Sequence, residues 1–461
     1  MKPQRTEFTK AKRTLTEVLS LSAVFFMLGF LTSLNDILTP CFQSVYSLNY
    51  VQSHTVQFSF FTAYFVFSFV FFRLACKNAD PVTKFGYKKT LIAGLLLSAI
   101  SCLLVAVCVR LNLSFAVTVL TLFILGGGMA VIQIAVNTLV CVSGKKETAS
   151  SRLNLYQAFN SLGTTLGPAV CGYFIFNYAF RDFNSVDSVF KPYMILCAVL
   201  LVISFFVYCS DIGSDIRING VTSEKRFSLR NKHVLFSALA ILFYVGAEVG
   251  IGSHLISYMK ETVGTSERTA SAFLSYYWGG AMIGRFVGAV VLSDIKRLNK
   301  VIYTVLLVVS VSVFLFLLTY GVYHLVFHQV WFFIVFIILN ILFFRLAQGK
   351  TALTLSVFAM VNIGLITASF ISAPSVSVWC ILATGLFNSI MWSNIFVLSA
   401  GGLKGNILHV TPLLILMISG GAVFPLLQGW TADVIGIKYS FVIPVLLYGY
   451  LCFYGLKGYK I

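Results

Sequence analysis

Apolar runs of 18 to 25 residues, separated by short polar and basic connections, make up most of the chain. An α-helix needs about 20 such residues to cross the hydrocarbon core, whereas barrel strands would alternate over segments of about ten. In the first half the pattern predicts six spans, at 19–41, 57–76, 88–109, 114–140, 152–177 and 191–210. A polar segment, 211–232, follows and reads as the domain linker; it carries Arg217, Lys225, Arg226, Arg230 and Lys232. Eight further spans are predicted near 233–259, 270–293, 301–320, 328–346, 352–373, 376–399, 408–431 and 439–456. Pro374 supports a break after the fifth of these. The total is fourteen, or twelve if 301–346 is not a hairpin. Either number is even.

Charge tests the count. With the N-terminus inside, 26 of the 33 Lys and Arg fall on the inner side and six outside, with Arg285 within a span. That asymmetry is the positive-inside pattern, and one missed span would scramble it downstream. Both termini are therefore expected in the cytoplasm. The expected organisation is a cytoplasmic tail at 1–18, a six-helix bundle at 19–210, the linker at 211–232 and a second bundle at 233–461 with an extra hairpin at about 301–346.

Composition narrows the class. The chain has 461 residues, 58% hydrophobic, 44 of them Phe, and only 10% charged, against about 25% charged in soluble domains. Mean hydropathy is +0.91. The fold class is an all-α polytopic membrane protein. A formal charge of +18 does not point to nucleic acid, because the basic residues sit in short loops between spans. Ten cysteines are scattered singly, without CxxC or Cys/His spacing, so neither a metal nor a disulfide framework is expected. The first apolar run is long, contains Asn35 and Asp36 and lacks a small-residue cleavage pattern; it reads as a retained helix rather than a signal peptide. There is no GxxxxGK[ST] and no HExxH, which argues against ATP-driven pumping and metalloenzyme chemistry. An ion gradient or the solute's own gradient must supply the energy.

Polar groups inside the spans are the candidate chemistry. A carboxylate in hydrocarbon costs roughly 3 to 17 kcal/mol, so Asp36 must face a polar cavity, find a partner or take up a proton. It is either a structural acid or a reversible proton or cation site, with Asn35 beside it and Pro40 loosening the helix near its end. Gln133 and Asn137 share a helix face at i, i+4. Asn154, Gln157, Asn160 and Ser161 form a second stripe. These amides either satisfy each other across helices or line a wet cavity for a polyol. Glu248 has two readings, cation coupling and a structural hydrogen bond, and His254 follows six residues on. Arg285 calls for an acid or the cytoplasmic surface, with Asp294 the nearest acid in sequence; a structural role is expected. Asn388 and Trp392 are four apart, an amide for hydroxyls and a ring for an apolar sugar face, although Trp392 also suits packing. Gln428 could reach the same cavity. Asp80 and Lys84 lie in the basic turn after the second span.

Eight stretches in order carry a resemblance: NDILTP at 35–40, GYKK at 86–89, QIAVNTLV at 133–140, QAFNSLG at 157–163, YVGAEVGIGS at 244–253, YWGGAMIGRF at 277–286, GLFNSIMWSNIF at 385–396 and PLLQGWTAD at 425–433. Together they resemble the fucose permease and glucose/galactose transporter branch of the major facilitator superfamily, over nearly the whole chain except about 301–346. The resemblance implies two six-helix bundles around a central sugar site, alternating access by rocking, and symport with H+ or Na+. It implies no cofactor and no enzymatic activity, and the partners are a small sugar and membrane lipid, in a monomer. Asp36 matches the acid that binds the coupling proton, and Asn160 an asparagine linked to sugar binding. Gln133 stands where the fucose branch has a glutamate and is similar to the glucose/galactose branch. The turn 73–89, with Asp80 and Lys84, resembles the superfamily's gating loop without its usual glycines. A transporter-derived sensor that does not turn over is the rival reading.

Overall fold

The computed structural model describes residues 15–48, 50–77, 81–173, 186–213, 232–401 and 407–461. Asp80 lies outside these, as do residues 1–14 and most of the linker (214–231), and Asn35 and Asp36 enter the described structure as helix backbone only. All regular structure among the described residues is helical. In the first half the helices are α1 (Leu15–Val45), α2 (Tyr50–Cys76), the short α3 (Pro81–Phe85), α4 (Tyr87–Arg110), α5 (Phe115–Val142), α6 (Ala149–Tyr173) and α7 (Asp187–Cys209). The second half has α8 (Lys232–Val263), α9 (Glu267–Val291), α10 (Arg297–Tyr323), α11 (Phe327–Val330), α12 (Phe333–Leu346) and α13 (Thr351–Ile371). It continues through α14 (Pro374–Asn388), α15 (Met391–Gly401), α16 (Ile407–Leu416), α17 (Gly420–Ile435), α18 (Ile437–Ser440) and α19 (Val442–Leu456). Among the described residues, eleven spans are long and apolar enough to cross a membrane. Helices α6 and α9, 25 residues each, have the length but more polar residues.

The packing repeats between halves. In the first bundle α4 packs on α5 and α7, α2 on α5, and α1 on α6. In the second, α13 packs on α14 and α19, α9 on α14, and α8 on α17. This correspondence pairs α1, α2, α4, α5, α6 and α7 with α8, α9, α13, α14/α15, α16/α17 and α18/α19. Helices α10 to α12 have no counterpart and are inserted between the second and third members of the repeat. α10 lies against α9, and α12 against α14, α9 and α13. The outer face of α10 is a column of exposed aliphatics, Leu298, Ile302, Val305, Leu306, Val309, Val313 and Leu317, suited to lipid.

Four expected spans are interrupted, 328–346 and 439–456 only near their first residues and the other two at mid-span. The segment 376–399 breaks between α14 and α15 at Ser389 and Ile390. The segment 408–431 passes through a 3-10 turn at Met417–Ser419 between α16 and α17. The backbone at Pro40, in contrast, stays helical to Val45.

Helices α1 and α6 approach through glycine. A Cβ on Gly163 would collide with the Phe26 carbonyl, and one on Gly29 with the Asn160 carbonyl. This close approach is how membrane helices gain packing energy where lipid supplies no hydrophobic drive. Gly163→Leu should therefore lower the thermal unfolding temperature in detergent markedly and Gly163→Ala less so, overpacking costing about 1–3 kcal/mol or more. An unchanged melting curve for the Leu variant would contradict the contact.

A candidate substrate path and its closed end

The two bundles meet along α6 against α9, α2 against α16, and α6 against α15. At one end this seam is sealed by polar contacts. Lys145 Nζ donates to Asp294 Oδ2 at 2.7 Å, and Lys146 Nζ reaches the Gly401 carbonyl at 3.4 Å. Ser150 Oγ donates to Asn394 Oδ1 and Ser151 Oγ to the Ala289 carbonyl. Thr138 Oγ1 bonds Thr411 Oγ1 at 2.8 Å. This is the end that carries most of the lysines and arginines, expected to face the cytoplasm.

Deeper in, the polar residues join into one chain. Gln133 on α5 donates to the Tyr64 hydroxyl on α2 at 3.2 Å, and Asn137 donates to the Gln133 carbonyl at 3.0 Å. Gln157 on α6 donates to Asn137 Oδ1 at 3.2 Å. From the other bundle, Arg285 on α9 donates through Nη1 to the Gln157 carbonyl at 3.3 Å and to Ser161 Oγ. Its Nη2 meets Glu248 Oε1 on α8 at 3.4 Å, and its Nε donates to the Ser389 carbonyl at 3.0 Å. That carbonyl is available because the break between α14 and α15 leaves it outside both helical ladders. The Tyr277 hydroxyl donates to the Glu248 carbonyl at 2.8 Å. Asn388 Nδ2 in turn donates to Tyr277 at 3.0 Å, and its Oδ1 accepts from Tyr448 at 2.6 Å and Asn362 at 2.9 Å.

Burial sorts these groups. Asn137, Gln157, Glu248, Arg285 and Asn388 are buried, whereas Gln133 and Asn160 are half-buried. Asn160 Nδ2 donates to the Phe25 carbonyl of α1 at 3.2 Å. Trp392 Nε1 and Gln428 Nε2 are buried donors without a partner among the described residues. The geometry thus offers amides at the parting of the bundles, backed by a hydrogen-bonded network. Among the described residues no three His, Cys, Asp or Glu side chains come together as metal ligands.

Several sequence-predicted positions fall differently from their spacing. Arg285 pairs with Glu248, thirty-seven positions away in the chain, and Asp294 with Lys145; sequence proximity misled because the helix end carries Asp294 out of the membrane while Arg285 stays within the helix. His254 donates to the Gly250 carbonyl of its own helix at 2.9 Å rather than joining Glu248. Asn388 and Trp392 do not share one regular helix, since the chain breaks between them. Lys84 is exposed, 5.6 Å from the ring of Phe85. Sequence reasoning missed Tyr64, Asn362 and Tyr448. Asn362 carried a signal, a lone amide in an apolar run; the two tyrosines carried none.

The chain matches the model of the Major Facilitator Superfamily over residues 20–349. It is 34% identical over 468 aligned positions to a glucose/galactose transporter of Brucella abortus, covering 99% of this chain and 98% of that one. To the L-fucose-proton symporter of Escherichia coli it is 27% identical, covering 59% of this chain and 66% of the relative. The solved E. coli fucose:proton symporter in the outward conformation superposes with a TM-score of 0.72 at 21% identity, covering 95% and 98% of the two chains. The chain is a multi-pass membrane protein of the major facilitator class, a secondary transporter and not an enzyme. Within that superfamily it belongs to the sugar-transporter group of glucose/galactose transporters and fucose-proton symporters.

The sealed end generates a prediction. The hydrogen bond from Lys145 holds the Asp294 carboxyl below its usual value, and the same bond raises the Lys145 ammonium. The pair's contribution is therefore fully present between the ordinary aspartate and lysine values. It is lost as pH falls through the lowered Asp294 value or rises through the raised Lys145 value. Both groups are exposed, so salt screens the pair. Take Ser151→Cys, a thiol placed in the seam, as reporter on a background without native cysteines. Asp294→Asn should raise its rate of maleimide labelling modestly, and the gain should vanish in high salt. Exchanging the charges, Lys145→Asp with Asp294→Lys, should restore the starting rate.

Proposed function

We propose that the chain is a hexose symporter that carries glucose, galactose or both into the cell, driven by a proton or sodium gradient, with alternating access between the two bundles. The observation that carries this reading is end-to-end likeness to a glucose/galactose transporter, 34% identity across 99% of the chain. In this reading Asp36 takes the coupling ion. The half-buried Gln133 and Asn160 engage sugar hydroxyls, and Asn35, Trp392 and Gln428 complete the wall. The unpartnered Trp392 and Gln428 donors suit hydroxyl oxygens, and an indole plane suits the apolar face of a pyranose. Asn137, Gln157 and Asn388 hold the amides from behind, with Glu248 a second acid in the path. Asp80 and Lys84 belong to the gating turn. The protein sits as a monomer in a bacterial inner membrane with both termini in the cytoplasm.

Fucose, an N-acetylated sugar or a polyol is the second substrate reading, and for fucose it draws on the 27% identity to the L-fucose-proton symporter of Escherichia coli. A neutral Gln133, where the resemblance to the fucose branch implies glutamate, weighs toward glucose or galactose.

Purified protein in liposomes should accumulate labelled hexose under an imposed proton or sodium gradient, each tested alone. Accumulation under neither would overturn the symporter reading. Asp36→Asn should abolish uphill uptake and leave exchange, and retained accumulation would remove its role. Gln133→Ala should raise the KM for sugar by about tenfold, the worth of one or two hydrogen bonds, with the folded amount unchanged.

A further inference from the structure

We propose that Arg285 is a cation shared between the bundles, a latch that α6 holds while the seam is closed and that passes to Glu248 when it opens. This rests on the transporter reading above and adds to it a positioning role for the Arg285, Ser161 and Glu248 set. Arg285 is 7% exposed, and its guanidinium has acceptors on both sides of the seam. Two belong to its own bundle, the Ser389 carbonyl at 3.0 Å and Glu248 Oε1 at 3.4 Å. Two belong to α6, the Gln157 carbonyl at 3.3 Å and the Ser161 hydroxyl.

Rocking must part α6 from α9, and that movement strips Nη1 of both its acceptors. Arginine cannot lose its proton, so the stranded donor has to find another oxygen. Glu248 is positioned to supply it. Its contact is through one oxygen at 3.4 Å, long for a charge-assisted bond and short of the two-bond arrangement that a guanidinium and a carboxylate can reach. The Nε bond to Ser389 is fixed by the break between α14 and α15, so the guanidinium can pivot about it. Around the pair stand the phenols of Tyr244, Tyr277 and Tyr448, which offer dipoles and no competing charge. Closed and open states then differ in which partner satisfies Nη1, and each partner favours one state.

The two partners make opposite predictions. Ser161→Ala removes a closed-state acceptor and should speed maleimide labelling of the Ser151→Cys reporter by about tenfold, the population change that one charged hydrogen bond supplies. Glu248→Gln removes the open-state destination and should slow labelling by a similar factor. The double variant should fall back near the reference rate. A pair that merely holds the fold together would shift both variants in the same direction. Same-direction shifts, or rates equal to the reference, overturn the proposal. If Glu248→Gln does not accumulate in the membrane, Ser161→Ala decides by itself, and labelling no faster than the reference refutes the latch. The assay uses membranes without sugar or gradient. Failure of hexose uptake with opposite labelling shifts would sink the substrate reading and keep the latch; normal uptake with unshifted labelling would do the reverse.

Discussion

A permanent positive charge inside the bilayer has to be answered by oxygens, and Arg285 draws them from four places at once. Desolvating a guanidinium and a carboxylate costs several kcal/mol per ion, which the single long contact with Glu248 does not offset. The remainder comes from the Ser389 and Gln157 carbonyls and the Ser161 hydroxyl. Two of those lie on the opposite bundle. The need to satisfy one side chain therefore becomes a force between the halves of the molecule.

The same constraint explains the irregular helices. In hydrocarbon a broken helix is tolerated only where its freed backbone groups are met by protein. The interruption at Ser389 and Ile390 is met by Arg285, and on either side of it Asn388 and Asn394 anchor to other helices through Tyr277, Tyr448 and the Thr351 carbonyl. The break thus sits where the polar network crosses the second bundle. Of the inserted helices, α10 packs on the outside of α9, while α12 supports α14 next to the break, with Asn340 donating to the Leu386 carbonyl at 3.1 Å. The packing correspondence between α1–α7 and α8, α9 and α13–α19 runs across the insertion, so the two-bundle arrangement stays in place.

The seam divides into an exposed part and a buried part with different physics. At the sealed end Lys145 and Asp294 are both 61% exposed, so their attraction is screened by salt and answers to pH. A few turns inward, the Arg285 contacts are buried, where dissolved salt screens them far less. A closed state built on two such layers can be loosened from outside at the first layer, while the second answers to rearrangement within the bundles.

Run length, charge asymmetry and the order of short motifs were enough to read the class and to expect a linker and an insertion, because the bilayer imposes a length on every span and a charge bias on every loop. The unusual polarity of particular spans likewise flagged Gln133, Gln157, Asn160, Glu248, Arg285 and Asn388 without a structure, since each is costly in hydrocarbon. Partner choice was not legible. Arg285 meets Glu248 rather than Asp294, Tyr64 and Tyr448 close the network from helices that carried no local signal, and nothing in the polar stretch around Asn388 marks where the helix breaks. Those outcomes depend on which helix faces which across the bundles, and a linear pattern records how far apart residues are along the chain, not which oxygens remain within reach once the helices have packed.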